Sequence, residues 1–240
     1  MKAALAIASR ELSSMFRLPV GWVVTALFML LTGTVFAYLI LAPGQIASLR
    51  VFFAVSGWLL LPVVPAVSMR LLSEEFRSGT IEPLLTSPVS DAAVVIGKYL
   101  GGLAFLMLMF VPTLALVGIL VALSDPKPDP GPILAGYLSV ALLGALYLAV
   151  GLFVSSLTSN QTLAFLGTLF VLLLMMLLAF VPAEKLPPLL RPVLNAALIK
   201  PRIDDFAKGV IDLSHVVFFL SVSCWFVVLT TLTLESRRWR

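Results

Sequence analysis

Few residues in this chain have types and spacing that suit chemistry. Gly97 and Lys98 resemble the end of a phosphate-binding loop, but Tyr99 stands where Ser or Thr is needed and Ala92 where the earlier glycine is expected. His215 is the only histidine, and a single cysteine accompanies it, so no clustered ligand set for a metal is expected. We therefore expect no cofactor site in this chain and no enzymatic activity of its own.

The most informative polar stretch is residues 73–98. Glu74, Glu75 and Arg77 continue from an apolar run into water, and Gly79 can take the left-handed conformation that ends a helix. Thr80 can then cap a second, short helix.

The predicted second helix is amphipathic. Glu82 in its first turn favours the helix dipole, and Leu84 and Leu85 share a face with Ile81. Pro88 ends it, and Ser90 with Asp91 can cap the next helix. Such a helix suits the groove of a soluble partner; the alternative is a solvated loop whose charges merely keep it in water.

The elements around this stretch are apolar runs without Asp, Glu, Lys or Arg. Each has roughly 19 to 25 residues, enough at about 1.5 Å per residue to cross a hydrocarbon core of about 30 Å. Continuous apolar character favours helices over barrel strands, and a hydrophobic content of 60% excludes an ordinary soluble domain. We predict an all-α integral membrane protein with six transmembrane helices. The runs are residues 20–41, 51–69, 99–123, 133–154, 162–181 and 216–234.

Residues 1–19 are predicted to form an interfacial amphipathic helix ended by Pro19, and residues 20–240 the six-helix domain. Leu5, Leu12 and Met15 recur at helical spacing, opposite a basic and polar side. This helix either anchors the first span or grips a partner.

An even number of spans places both termini on one side of the membrane. That side carries nine basic residues against seven on the other, so the positive-inside rule predicts cytoplasmic termini. The net charge of +4 suits anionic lipid headgroups and gives no argument for nucleic acid.

Two further sets of residues should shape the bundle. Glycines in the third and fourth spans should let backbones approach closely, and prolines in the second and third should bend those helices. They are Gly101, Gly102, Gly136, Gly144 and Gly151, and Pro62, Pro65 and Pro112.

The predicted external segments are residues 124–132 and 182–215. The first, with four prolines, is predicted to be a rigid turn, and residues 203–213 of the second an amphipathic helix. Residues 189–199 are apolar enough to dip back into the membrane; the alternative is a helix resting on the outer surface.

The polar stretch resembles the signature of ABC type-2 transporter permeases, in which Glu-x-x-x-Gly-Thr-x-Glu-x-Leu-Leu-x-x-Pro follows the second span. Six spans in the same order extend the resemblance over nearly the whole chain, and the chain is most similar to permeases associated with gliding motility. Pro83 departs from the pattern, although a first helical turn accepts proline. The matching residues are Arg70, Glu74, Glu75, Arg77, Gly79, Thr80, Glu82, Leu84, Leu85, Pro88, Gly97 and Lys98.

The resemblance implies the permease subunit of an ATP-driven exporter in the cell inner membrane, with the ABC type-2 exporter fold. ATP and Mg would bind a separate ATP-binding subunit, and a second permease copy or homologue would complete the transporter within membrane lipid. A membrane scaffold or force-transmitting subunit of a gliding-motility-like machine is the alternative. An intramembrane enzyme is disfavoured because no pair of catalytic groups lies within a span. The implied coupling helix would contact the ATPase through Glu74, Glu75, Arg77, Gly79, Thr80, Glu82, Leu84, Leu85 and Pro88.

Overall fold

The computed structural model is helical throughout the part of the chain that it describes. That part comprises residues 2–41, 48–80, 89–181, 187, 191, 192, 195 and 198–238. A π-helical segment, Phe36–Ile40, extends α2, and 3₁₀ segments Val111–Thr113 and Leu178–Phe180 follow α5 and α8. The helices are α1 (Lys2–Arg17), α2 (Pro19–Val35), α3 (Arg50–Ser68), α4 (Ser73–Ser78), α5 (Asp91–Phe110), α6 (Leu114–Leu123), α7 (Pro130–Leu157), α8 (Gln161–Leu177), α9 (Lys200–Ala207) and α10 (Leu213–Arg238).

Six stretches of the described chain are long and apolar enough to cross a membrane, which confirms the predicted fold class. We call the end of the bundle that carries α1 and α4 the proximal end, and the opposite end the distal end. The spans are Pro19–Ile40, Arg50–Ser78, Asp91–Leu123, Pro130–Leu157, Gln161–Phe180 and Leu213–Ser236.

The fourth span, α7, lies at the centre of the bundle. In its most apolar window 78% of residues are buried, and Leu146, Tyr147 and Leu148 are fully buried. It packs against α3, α5, α8, α9 and α10. The centre of a single chain is therefore filled by side chains.

Two of the predicted glycines in α7 permit very close approach. A Cβ on Gly136 would lie 2.1 Å from the Phe53 ring, and one on Gly151 would lie 2.1 Å from Ser68 Oγ. Gly144 makes only ordinary contacts, with its nearest neighbours 3.7 Å from the Cβ position. Close packing of α7 on α3 thus depends on the two outer glycines.

The fifth and sixth spans present mainly apolar side chains to the outside. Only 22% and 17% of their most apolar windows are buried, and Phe170, Val217 and Trp225 are among their exposed side chains. Such a surface suits lipid, because hydrocarbon solvates it and water does not.

The three prolines act differently. Pro112 lies in the 3₁₀ segment that separates α5 from α6, so the regular α-helical pattern of the third span changes there. Pro62 and Pro65 both lie inside α3, which remains helical to Ser68.

The distal segments differ from prediction in length. The amphipathic helix predicted for residues 203–213 is α9, which begins at Lys200 and ends at Ala207, because Gly209 takes a φ of +90° and turns the chain. Ile203, Phe206 and Ala207 are buried in its contact with α3 and α7. The prediction for residues 189–199 falls mostly outside the described residues.

The predicted turn at residues 124–132 overlaps the start of the fourth span. Asp129 caps α7 by accepting a hydrogen bond from the Gly131 amide at 2.9 Å. Pro130 then occupies a first-turn position, where its missing N–H costs nothing.

Candidate functional site

The proximal end of the second span is broken rather than continuous. The sequence predicts that this helix runs straight into Glu74 and Glu75, but α3 ends at Ser68 and α4 begins only at Ser73. Backbone groups freed by the break are bound by Ser155 of α7. Its hydroxyl accepts from the Leu72 and Ser73 amides at 3.2 and 3.0 Å and donates to the Met69 carbonyl at 3.3 Å.

These three hydrogen bonds explain why the break is stable inside a buried region. An unpaired backbone group there would be costly, so the chain can leave the helical pattern only where a side chain replaces the lost partners. Ser73 Oγ also donates to the Met69 carbonyl. Ser155 therefore fixes the place where α4 leaves the bundle, and sequence reasoning missed it.

The far end of α4 agrees with prediction. Gly79 has a φ of +71° and caps the helix in the left-handed conformation. Arg77, Ser78, Gly79 and Thr80 are all exposed, and the hydroxyls of Ser78 and Thr80 share a hydrogen bond of 2.8 Å. The structure thus presents a short polar tip, residues 77–80, at the proximal end.

Glu74 is held by a two-pronged ion pair. Arg70 Nε lies 2.8 Å from Glu74 Oε2, and Arg70 Nη2 lies 3.0 Å from Glu74 Oε1. Because Arg70 lies within the break and Glu74 in the first turn of α4, the pair ties α4 to the segment that precedes it.

Glu75 points inward, to a group of charges that we call the charge cluster: Arg10, Glu11, Glu75 and Lys98. Lys98 Nζ lies 2.9 Å from Glu75 Oε1 and 3.2 Å from Glu11 Oε2. Arg10 Nη2 lies 3.4 Å from the same oxygen of Glu75. The cluster joins α1, α4 and α5 through charged groups.

Burial makes the lysine the centre of this cluster. Its side chain is 2% exposed, against 13% for Glu75 and 12% for Glu11. Taking an ammonium out of water is costly unless opposite charges compensate, and two carboxylates do so here. Glu75 Oε2 is buried and has no hydrogen-bond partner among the described residues, so Glu75 gains its compensation through its other oxygen.

Glycines on α5 allow α1 to reach this position. A Cβ on Gly97 would lie 2.8 Å from the Ala4 carbonyl oxygen, and one on Gly101 would lie 2.9 Å from that of Ala8. Instead of lying freely in the interface, α1 packs along the proximal half of α5. Leu5, assigned by the sequence to the apolar face, is 61% exposed.

The structure brings together only part of the predicted contact surface. Glu74 and Glu75 lie at the base of α4 in ion pairs, while Arg77, Gly79 and Thr80 lie at its exposed tip. Glu82, Leu84, Leu85 and Pro88 lie outside the described residues. Lys98 lies within α5, and its ammonium forms the ion pairs of the charge cluster.

Sequence reasoning did not connect α1 to this site. Glu11 is the only acidic residue of α1, in a helix that otherwise carries basic charge. A lone carboxylate in a basic helix was the available signal for a buried partner of opposite charge.

A comparison with protein families shows to which family the chain belongs. The family described as ABC-2 family transporter protein matches residues 43–195, which include the break, the tip and Lys98. The chain belongs to the ABC-2 transporter family. The permease is thus a multi-pass membrane component of an ABC transporter, and membership implies an ATP-binding subunit in the same transporter.

The comparisons add no finer assignment. No curated protein matches the permease. Its similarity to gliding-motility permeases, and the mechanical role that this similarity suggested, are not supported by the family match and stay predictions.

Proposed function

We propose that the permease couples ATP hydrolysis on a separate subunit to export across the cell inner membrane. In this proposal residues 74–88 are the docking segment: Glu74 and Glu75 position α4, and the residues from Arg77 to Pro88 contact that subunit. ATP and its magnesium ion bind to the partner subunit. The observation that carries the proposal is the presentation of α4. It is fixed at its base by Ser155 and Arg70 and exposed at its tip, residues 77–80.

The exposed tip supplies the surface for docking. Arg77 offers a charged side chain, and Gly79 turns the chain toward residues 81–88, where the sequence predicts the amphipathic coupling helix. A helix of that kind docks its apolar face in a groove of the partner.

In this proposal the charge cluster transmits movement of α4 to the neighbouring helices. Because Glu75 is paired with Lys98, a push on the tip reaches α5 directly, and through Glu11 it also reaches α1. Glu75 therefore acts as a positioning residue that keeps α4 at the right angle, whereas direct contact falls to the tip and the helix after it.

A second permease copy or homologue completes the pathway in this proposal. The fully buried side chains around Tyr147 leave no space along the centre of one chain. Cargo therefore moves along a surface between two copies, and the apolar sides of the exposed spans suit that surface or the surrounding lipid.

Charge supports cytoplasmic termini. The side that carries the termini has nine of the sixteen Lys and Arg residues of the sequence, against seven on the other side, and an excess of Lys and Arg favours the cytoplasmic side. The tip then faces the compartment that contains ATP.

Docking is tested by co-expressing the full-length permease with its candidate ATP-binding subunit. Arg77→Glu should reduce co-purification and permease-dependent ATP hydrolysis at least tenfold, because it reverses the charge at the exposed tip. Lys200→Glu, the same reversal of charge at an exposed distal position, should leave both unchanged.

Two results would count against the proposal. One is failure of the native permease to bind the ATP-binding subunit. The other is equal co-purification of the Arg77→Glu and Lys200→Glu variants, which would place the contact away from the tip.

A further inference from the structure

A cavity of about 900 Å³ opens at the distal end of the bundle. It lies where the end of α2, the start of α3 and the end of α6 meet the 124–132 loop, and Lys208 after α9 completes its wall. Sites for small organic ligands usually measure about 300 to 1,000 Å³. The cavity is thus large enough for a ligand of considerable size.

Part of the wall is apolar and continuous with the membrane-spanning helices. Ile40, Leu49, Phe53, Leu120 and Ile133 contribute side chains from four different segments. Leu41 and Leu123 also line the cavity, and because they are 41% and 69% exposed they present apolar surface to it. A hydrocarbon chain fits such a wall because burial there removes apolar surface from water.

The rim of the cavity carries charged side chains, and two of its cations form no salt bridge with a described residue. Arg50 and Lys127 line the cavity, and neither forms a salt bridge within the described part of the chain. Asp129 is used as the cap of α7, and Lys208 pairs with Asp205 at 3.2 Å. With Asp125, the lining residues carry three cations against two carboxylates, which is an excess of one positive charge.

We propose that this distal cavity binds an anionic amphiphile. Its phosphate or carboxylate lies at Arg50 and Lys127, because guanidinium and ammonium groups form charge-assisted hydrogen bonds with such oxygens. Its hydrocarbon chain lies against Leu41 and Leu123. Binding itself does not depend on the proposed function; only the identity of the ligand as cargo rests on export.

The test uses the purified full-length permease in neutral detergent, without the ATP-binding subunit. Phosphatidylglycerol and phosphatidylcholine of identical chain length are titrated separately, and bound lipid is counted by native mass spectrometry. We expect tighter binding of the anionic lipid. Raising the salt concentration should weaken that preference, because screening reduces attraction between charges.

The variant Arg50→Gln/Lys127→Gln should bind phosphatidylglycerol about twenty-five-fold more weakly, a factor of about five for each cation removed. Lys200→Gln is the matched control, since Lys200 is an exposed distal lysine that does not line the cavity; it should bind as the native chain does. Equal affinity of native protein for both lipids overturns the proposal, as does unchanged binding by a correctly folded double variant.

A second arm distinguishes cargo from resident lipid. The complex with the ATP-binding subunit is reconstituted in liposomes that contain labelled phosphatidylglycerol. ATP-dependent movement of the label, absent in the double variant, identifies cargo. Binding without movement identifies a lipid that stays in the site. Loss of lipid binding with normal ATPase docking separates failure here from failure of the docking proposal, which Arg77→Glu tests.

Discussion

The single buried charge of Lys98 fixes the positions of two neighbouring helices. Its ammonium lies between carboxylates of two other helices and is almost completely removed from water. A buried ion pair is not in itself a large source of stability, because desolvation offsets most of the attraction. Its effect is to make the position of α1 and α4 specific, since either carboxylate left alone in this environment would be costly.

Replacing Lys98 with Gln should therefore lower the free energy of unfolding by about 3 to 5 kcal/mol, because Glu11 would remain buried without a cation and Glu75 would keep only Arg10, 3.4 Å away. Lys200→Gln provides the comparison: it removes an exposed pair with Asp204, and pairs of this kind contribute about 0.3 to 0.5 kcal/mol. Thermal unfolding in detergent measures both. Similar shifts for the two variants would contradict the role assigned to Lys98.

Two tyrosines, one buried and one half-buried, differ in whether their hydroxyl groups form a hydrogen bond. The Tyr147 hydroxyl is buried without a hydrogen-bond partner among the described residues, so Tyr147→Phe should leave the free energy of unfolding unchanged or raise it. Tyr99 donates to the Ala145 carbonyl at 3.0 Å, so Tyr99→Phe should cost about 0.5 to 1.5 kcal/mol. Thermal unfolding of the two variants checks the order, and a larger loss for Tyr147→Phe would show that its hydroxyl has a partner.

The residues that the sequence predicted best are those whose role is local. Gly79 adopts the left-handed conformation because the helix end itself requires it, and Ser90 caps α5 from the neighbouring position. Lys98 and Glu11 lie 87 positions apart, and Ser155 lies 82 positions from Ser73. No pattern along a single chain specifies which distant groups will meet.

At the scale of elements, α1 depends on the absence of side chains on one face of α5. We predict that Gly97→Ala/Gly101→Ala separates the two helices, because each new methyl group would lie within 3 Å of a backbone carbonyl oxygen of α1. Proteolysis near Arg10 should then become faster, and ATP hydrolysis by the transporter should become less dependent on the permease.

Gly118→Ala is the control for that experiment. Gly118 lies in the same span, but a Cβ there would meet no atom within 4 Å. This variant should behave as the native chain. Native behaviour of the double variant as well would show that close contact between α1 and α5 is not needed for resistance to proteolysis or for ATPase coupling.

The existence of the spans was predictable and their ends were not. An apolar run of sufficient length has few alternatives to a membrane helix, so all six appear where composition placed them. The break between α3 and α4 depends on hydrogen bonds from Ser155, and the end of α9 on the turn at Gly209. Both are determined by tertiary contacts or by one residue, which hydrophobic periodicity does not report.

At the scale of the whole molecule, orientation can be measured with single cysteines. Cys224→Ser removes the only cysteine, after which Arg77→Cys and Lys127→Cys are introduced separately. In intact cells a membrane-impermeant maleimide should label position 127 but not position 77, because the proposed topology places the proximal end in the cytoplasm. Position 77 should react once the cells are permeabilised. The reverse pattern would invert the topology and remove the tip from the reach of a cytoplasmic ATPase.

The order of the charge cluster along the chain has a consequence for biosynthesis. Glu11 and Glu75 both precede Lys98 in the sequence, so both carboxylates have been synthesised before the lysine leaves the ribosome. A lysine entering the membrane region alone is unfavourable, but here its counter-charges are already present on the earlier helices. The charge of Lys98 can therefore be compensated as soon as the third span is made, whereas the contacts of that span with α7 and α10 form only later.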